Sequence, residues 1–175
     1  MSKMSTEALR EQKPSREEFI QRDKNKVVLV LDGIQSSHNI GAMVRLSDAF
    51  CLEKLVICGE LEINPKKLRK TSIGTQKWVK IEEEKNSIEV INKLKEQGYQ
   101  IAAIELCKDS TNYLEAEYQL PIAFVLGSEK KGVSDEIIAL SDLLIHIPMY
   151  GMGNSMNVSS AGAIVVADCI SKLPR

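Results

Sequence analysis

Residues 147–163 read IPMYGMGNSMNVSSAGA (Ile147–Ala163), and the rest of the chain is organised around them. The preceding run, Leu143-Leu144-Ile145-His146-Ile147, is apolar and reads as a buried strand. The segment that follows, Val158 to about Ile170, is rich in small residues and reads as a helix. A strand that ends in a loop of Gly, Asn, Ser and Met and then feeds a helix can present backbone N–H groups to a ligand. Gly151 and Gly153 carry no Cβ, so the loop can approach that ligand closely.

Two familiar nucleotide motifs nearly fit and fail. Gly151-Met152-Gly153 begins a G-x-G-x-x-G pattern, but Met156 stands where the third glycine belongs, and no further strand with an acidic ribose ligand follows within the sequence. Gly127-Ser128-Glu129-Lys130-Lys131-Gly132-Val133-Ser134 begins like a P-loop, but Val133 replaces the phosphate-binding lysine.

Outward from this loop, strands and helices alternate. Val27–Leu31, Leu55–Cys58, Ile101–Ile104 and Pro121–Leu126 are short apolar runs of the kind found in strands covered on both faces. Asn39 is a plausible N-cap for a largely apolar helix to Phe50 whose one cation is Arg45. That guanidinium needs a partner, either Asp48 one turn on or something at a functional site. Asn86 to Gln97 is amphipathic and is stopped by Gly98, and Ser134 caps a further helix that opens on Asp135-Glu136. Residues 112–117 carry no clear signal. The alternation predicts an α/β fold with a mainly parallel sheet flanked by helices.

The chain has 175 residues, 43% hydrophobic and 27% charged, with a net charge of −1. One domain is expected, with residues 26–175 forming its body and 1–25 a charged N-terminal extension that Ser15-Arg16-Glu17-Glu18 opens into a short helix. A neutral balance gives no global nucleic-acid signature, so RNA binding has to come from a local patch. Lys66, Lys67, Arg69, Lys70 and Lys77, in a run without acids, are that patch; a merely solvated face is the alternative, and Trp78 reads as core. Cys51, Cys58, Cys107 and Cys169 show no C-x-x-C spacing and no metal-ligand pattern, so reduced thiols and no metal are expected. No apolar stretch reaches about 18 residues and the N-terminus is charged, which predicts a cytoplasmic protein without a membrane anchor.

Three ordered motifs carry a resemblance. Asn39-Ile40-Gly41-Ala42-Met43-Val44-Arg45, then Gly127-Ser128-Glu129-x-x-Gly132-Val133-Ser134, then Ile147-Pro148-Met149-x-Gly151-x-x-x-Ser155-Met156-Asn157-Val158-Ser159 resemble those of the SpoU-type (TrmH-like) RNA ribose 2′-O-methyltransferases of the SPOUT superfamily. Met156 stands for a commoner Leu, and Lys130-Lys131 fill variable positions. The resemblance implies methyl transfer from S-adenosylmethionine to a ribose 2′-hydroxyl of structured RNA, tRNA ahead of ribosomal RNA. It also implies a C-terminal trefoil knot and a homodimer formed through the small residues of the last helix, whose other use is tight packing on its own sheet. By the same resemblance, Leu126, Gly127, Ile147, Met149, Ser155, Met156 and Val158 bind the cofactor. Asn39, Arg45, Glu129, Ser155 and Asn157 form the catalytic set, although Ser155 and Asn157 can also serve simply to start the last helix. Arginine holds its proton at any ordinary pH and is a reluctant base, so Arg45 suits a phosphate and a developing alkoxide better. A knotted RNA-binding protein without catalysis is the competing reading.

Overall fold

Asn25–Asp32 forms β1, and its five residues Val27 to Leu31 are wholly shielded from solvent. The structure, a computed structural model, describes residues 3–60 and 64–173; residues 1–2 and 174–175, the outer ends of the extension and of the body, lie outside the described residues. β1 is central. The other strands are β2 (Leu52–Cys58), β3 (Ile81–Glu84), β4 (Gln100–Ile104), β5 (Thr111–Asn112), β6 (Ile122–Gly127) and β7 (Leu143–His146). They form one seven-stranded sheet in the order β3-β2-β1-β6-β4-β7-β5, every pairing parallel, with Val30 opposite Val56 on one side and Val125 on the other.

Side chains of a strand alternate between faces, so the apolar run of β1 feeds two cores. Val27, Leu29 and Leu31 face helices α3 (Ser37–Ala49) and α7 (Val158–Lys172). Val28 and Val30 face α5 (Ser87–Glu96) and α6 (Asp135–Leu140). This layering is the α/β arrangement with a parallel sheet that the sequence predicts. Asn86 and Ser134 are the N-caps of α5 and α6, and Gly98 takes φ +83° just past α5.

Several elements differ from the sequence reading. β3 has a single apolar residue and stands at the sheet edge, where Glu82 bridges Lys54 at 2.7 Å and Lys80 at 2.8 Å. β7 buries only Ile145 fully, because its outer neighbour β5 is two residues long. α3 starts two residues before Asn39, capped by Ser36, whose hydroxyl accepts the Asn39 N–H at 3.4 Å. Asn39 is therefore inside the helix, and its side chain is committed elsewhere. Trp78 is half-buried outside both cores, edge-on to Phe19 with ring centroids 5.8 Å apart. That contact ties α2 (Arg16–Gln21) to the body; α2 follows α1 (Thr6–Glu11) and opens on the expected capping box, with Ser15 N–H to Glu18 at 2.7 Å and Glu18 N–H to Ser15 at 3.2 Å.

Two close approaches place the functional loops. Helix α4 (Pro65–Thr71) lies so near α3 that a Cβ on Gly41 would run into Thr71. A Cβ on Gly162 of α7 would sit 2.8 Å from Met43 Cε and 3.0 Å from Leu126 Cδ2, so this small residue serves packing within the chain. Finally, the connection from β4 to β6 lies across α7: Lys172 donates to the carbonyls of Tyr113, Leu114 and Ala116 at 3.3, 2.9 and 3.2 Å, and Tyr118 donates to Asp168 at 2.8 Å. The four cysteines are free thiols, with Cys58 and Cys169 buried. Among the described residues no helix is long and apolar enough to cross a membrane.

Candidate active site

In a parallel sheet the loops at the carboxyl ends of the strands form the natural ligand crevice. Here β4, β6 and β7 end side by side and open a cavity of about 540 Å3. Leu126, Gly127, Ile147, Met149, Ser155, Met156 and Val158 all line it. The structure thus brings together all seven residues expected to hold a cofactor. Leu126, Ile147, Met156 and Val158 supply apolar walls, while the strand ends supply backbone polar groups.

The loop after β6 is folded back on itself. Gly132 N–H donates to Ser128 O at 2.9 Å, and a Cβ on Gly127 would collide with the Gly132 backbone. Gly132 adopts φ +66°, and a Cβ there would collide with the Glu105 carboxylate. Glu105 accepts Val133 N–H on one oxygen and Leu106 N–H on the other, both at 3.0 Å, so it clamps this loop to the end of β4. Glu105 and His146 line the cavity and were missed in the sequence. The signal was present for Glu105: it is an acid directly after a buried parallel strand, where ligands bind.

At the mouth of the cavity three predicted residues meet. Asn157 Nδ2 donates to Asn39 Oδ1 at 3.0 Å, and Asn39 Nδ2 donates to Glu129 Oε1 at 2.6 Å. Asn157 also caps α7, its Oδ1 accepting the N–H groups of Ser159 at 2.9 Å and Ser160 at 3.4 Å. It therefore starts the helix, as expected, and also joins the polar cluster. Ser155 has no side-chain hydrogen bond among the described residues and takes no part in the helix start. Partial burial works to raise the Glu129 carboxyl, but its own N–H, the Asn39 amide and the N–H groups of Gln35 and Ser36 outweigh it and hold the group below its ordinary value of 4.5.

Arg45 is not part of this cluster. It is exposed, lies six residues beyond Asn39 or about 9 Å further along α3, and forms no ion pair with Asp48 among the described residues. Lys66, Lys67, Arg69 and Lys70 are exposed on α4, and Lys77 is exposed beside Trp78, its ammonium 4.9 Å from the ring centroid. Among the described residues no group of three or more His, Cys, Asp or Glu is placed to hold a metal ion.

Fold and site together define an α/β protein with a cavity of small-molecule size beyond the carboxyl ends of a parallel sheet and a polar cluster beside it. A model of the SpoU rRNA Methylase family matches residues 26–167. The tRNA (guanosine(18)-2′-O)-methyltransferase of Aquifex aeolicus is 37% identical over 149 residues, covering 85% of this chain and 71% of that protein. That of Thermus thermophilus is 35% identical over 157 residues, covering 86% and 77%. The crystal structure of the A. aeolicus TrmH/SpoU tRNA modifying enzyme matches with a TM-score of 0.79 at 33% identity, covering 89% of this chain and 79% of that one. The AdoMet-bound rRNA methyltransferase from Sinorhizobium meliloti shares the fold, with a TM-score of 0.80 at 21% identity over 87% of this chain and 59% of that one. The chain belongs to the SpoU rRNA methylase family.

Proposed function

We propose that this protein is an S-adenosylmethionine-dependent RNA ribose 2′-O-methyltransferase acting on tRNA. The observation that carries this reading is the cavity at the ends of β4, β6 and β7 with the Asn157–Asn39–Glu129 chain at its mouth. The residues present fit the cofactor: apolar walls suit an adenine, backbone groups at strand ends suit its polar edge, and the Glu105 carboxylate suits a cationic ligand. When bound, S-adenosylmethionine would supply an electrophilic methyl group on a sulfonium that leaves as the neutral thioether, the 2′-hydroxyl giving up its proton to solvent.

The chain's own residues prepare that event. Asn39, held from both sides, fixes the Glu129 carboxylate as an ionised acceptor that orients the ribose or Arg45. Arg45 engages the neighbouring phosphate and stabilises the developing alkoxide, which its exposed position allows once RNA lies along α3. Ser155 and Asn157 complete the polar wall. Lys66, Lys67, Arg69, Lys70 and Lys77 hold the RNA backbone further out. tRNA is favoured over ribosomal RNA, with guanosine the first acceptor to test, because the two curated relatives described above carry those words in their names. A knotted C-terminus is supported by the β4–β6 connection lying across α7. A homodimer would cover Tyr150 and Met152, which stand 96% and 100% exposed next to the pocket-lining Met149, and a cytoplasmic location is in keeping with an RNA substrate.

Calorimetry with S-adenosylmethionine, then mass spectrometry of tRNA nucleosides after incubation, tests the reading. Micromolar binding, about −8 kcal/mol, and a 2′-O-methylated nucleoside are expected. Absence of binding overturns the pocket, and RNA binding without methylation makes the protein a binding module.

A further inference from the structure

The loop that leaves β6 has a second cavity on its other side. β6 stands between β1 and β4 in the sheet, so residues 128–134 divide the space above β4 and β7 from the space above β1. The second space is open and measures about 980 Å3, and it shares Ser128, Glu129 and Gly132 with the first as a common wall.

Cations distinguish the two. Glu105 and Glu129 line the first cavity and no Lys or Arg does, so it is hostile to a phosphate. Lys130 and Lys131 line the second; both are exposed, and neither forms an ion pair among the described residues. Three carboxylates line the second cavity as well, and their surroundings leave them charged, so its cations rather than its net charge set it apart. Asp32 accepts the Ser87 hydroxyl at 2.7 Å, Glu129 accepts Asn39 at 2.6 Å, and Asp135 lies in the first turn of α6, where the helix dipole favours it.

We propose that this second cavity receives the acceptor nucleotide of the RNA, with Lys130 and Lys131 holding the phosphates that flank it. The inference rests on the methyltransferase reading and gives it a direction of approach. A ribose between the two lysines and the shared wall lies against Asn39 and Glu129, with the cofactor cavity immediately beyond. The two lysines fill positions that the motif leaves variable, so they can serve one substrate without disturbing the cofactor loop.

The experiment compares wild type with the Lys130→Ala/Lys131→Ala double variant on a tRNA that the wild type methylates. Affinity for S-adenosylmethionine by calorimetry and thermal stability should be unchanged, because both side chains are exposed. RNA affinity should fall about tenfold, and the slope of log affinity against log salt should become shallower by about 1.5, as expected for two phosphates no longer neutralised. KM for RNA should rise while kcat at saturating RNA is retained, and the Lys130→Arg/Lys131→Arg variant should behave as wild type. An unchanged salt slope and KM overturn the inference, as does loss of cofactor affinity in the double variant. A wild type that neither binds cofactor nor methylates overturns the methyltransferase reading itself, and this inference with it.

Discussion

Asn39 and Glu129 are 90 residues apart in sequence, yet the carboxamide of one donates to the carboxylate of the other at 2.6 Å. Helix α3 is thereby joined to the loop after β6, and Asn157 extends the link to the start of α7. All three family motifs meet in two hydrogen bonds.

Removing the middle member should be visible without any assay of activity. In Asn39→Ala, the Glu129 carboxyl should titrate closer to its ordinary value of 4.5 than in wild type, as read by NMR of the carboxyl carbon. The sign follows from linkage: a lowered folded-state pKa contributes stability present above the unfolded value and lost as pH falls through the folded one. The wild-type advantage should therefore be full near neutrality and vanish in the acid region below 4.5. An identical titration in both proteins removes Asn39 as the cause.

Arg45→Ala should leave cofactor affinity and thermal stability intact, since the side chain is exposed and outside the cavity. Single-turnover methylation should drop about a hundredfold or more, the scale of losing one preorganised charge stabiliser. Arg45→Lys should rescue little, because an ammonium lacks the planar fork. Normal methylation by Arg45→Ala would show that Arg45 has no part in the chemistry.

Glu105 tests the charge of the cofactor cavity. Glu105→Gln removes one negative charge, so it should weaken the cationic S-adenosylmethionine about tenfold while leaving neutral S-adenosylhomocysteine nearly unaffected. Calorimetry on both ligands gives the ratio, and the homocysteine form serves as the control for folding. Equal losses for both ligands would mean that Glu105 acts only through its clamp on Val133 N–H.

Gly127→Ala should fail more severely than Gly162→Ala. The first new methyl meets the backbone of Gly132, which cannot step aside, whereas the second meets the flexible end of Met43 at 2.8 Å. Overpacking at Gly162 should cost about 1–3 kcal/mol by denaturant melt with cofactor binding preserved. Gly127→Ala should lose cofactor binding at temperatures where it remains folded. Retained affinity in Gly127→Ala would show that the approach of Gly127 to Gly132 does not shape the pocket.

The basic run has its own readout. Neutralising Lys66, Lys67, Arg69, Lys70 and Lys77 should flatten the salt dependence of RNA binding by about 0.7–0.9 for each phosphate those side chains neutralise. A slope identical to wild type would return the run to an ordinary solvated face.

The sheet was legible because local chemistry decides it. The wholly apolar Val27–Leu31 can only be a strand covered on both faces, and Ser15, Asn86, Ser134 and Gly98 mark helix ends through bonds to near neighbours. The second and third motifs named the pocket residues through the family resemblance, and the apolar runs that lead into Gly127 and Ile147 placed those two at strand ends. What depended on distant partners was not legible. Asn39 reads as a cap in sequence, but a hydroxyl three residues earlier takes that role, freeing its amide for partners 90 and 118 residues away. Trp78 reads as core until Phe19 of the extension supplies the ring that covers it. Lys130 and Lys131 read as loop filler, and only the position of β6 between β1 and β4 turns their loop into a wall between two cavities. Local propensity is encoded residue by residue, whereas a site assembled at the ends of four strands exists only once the sheet order brings those ends together.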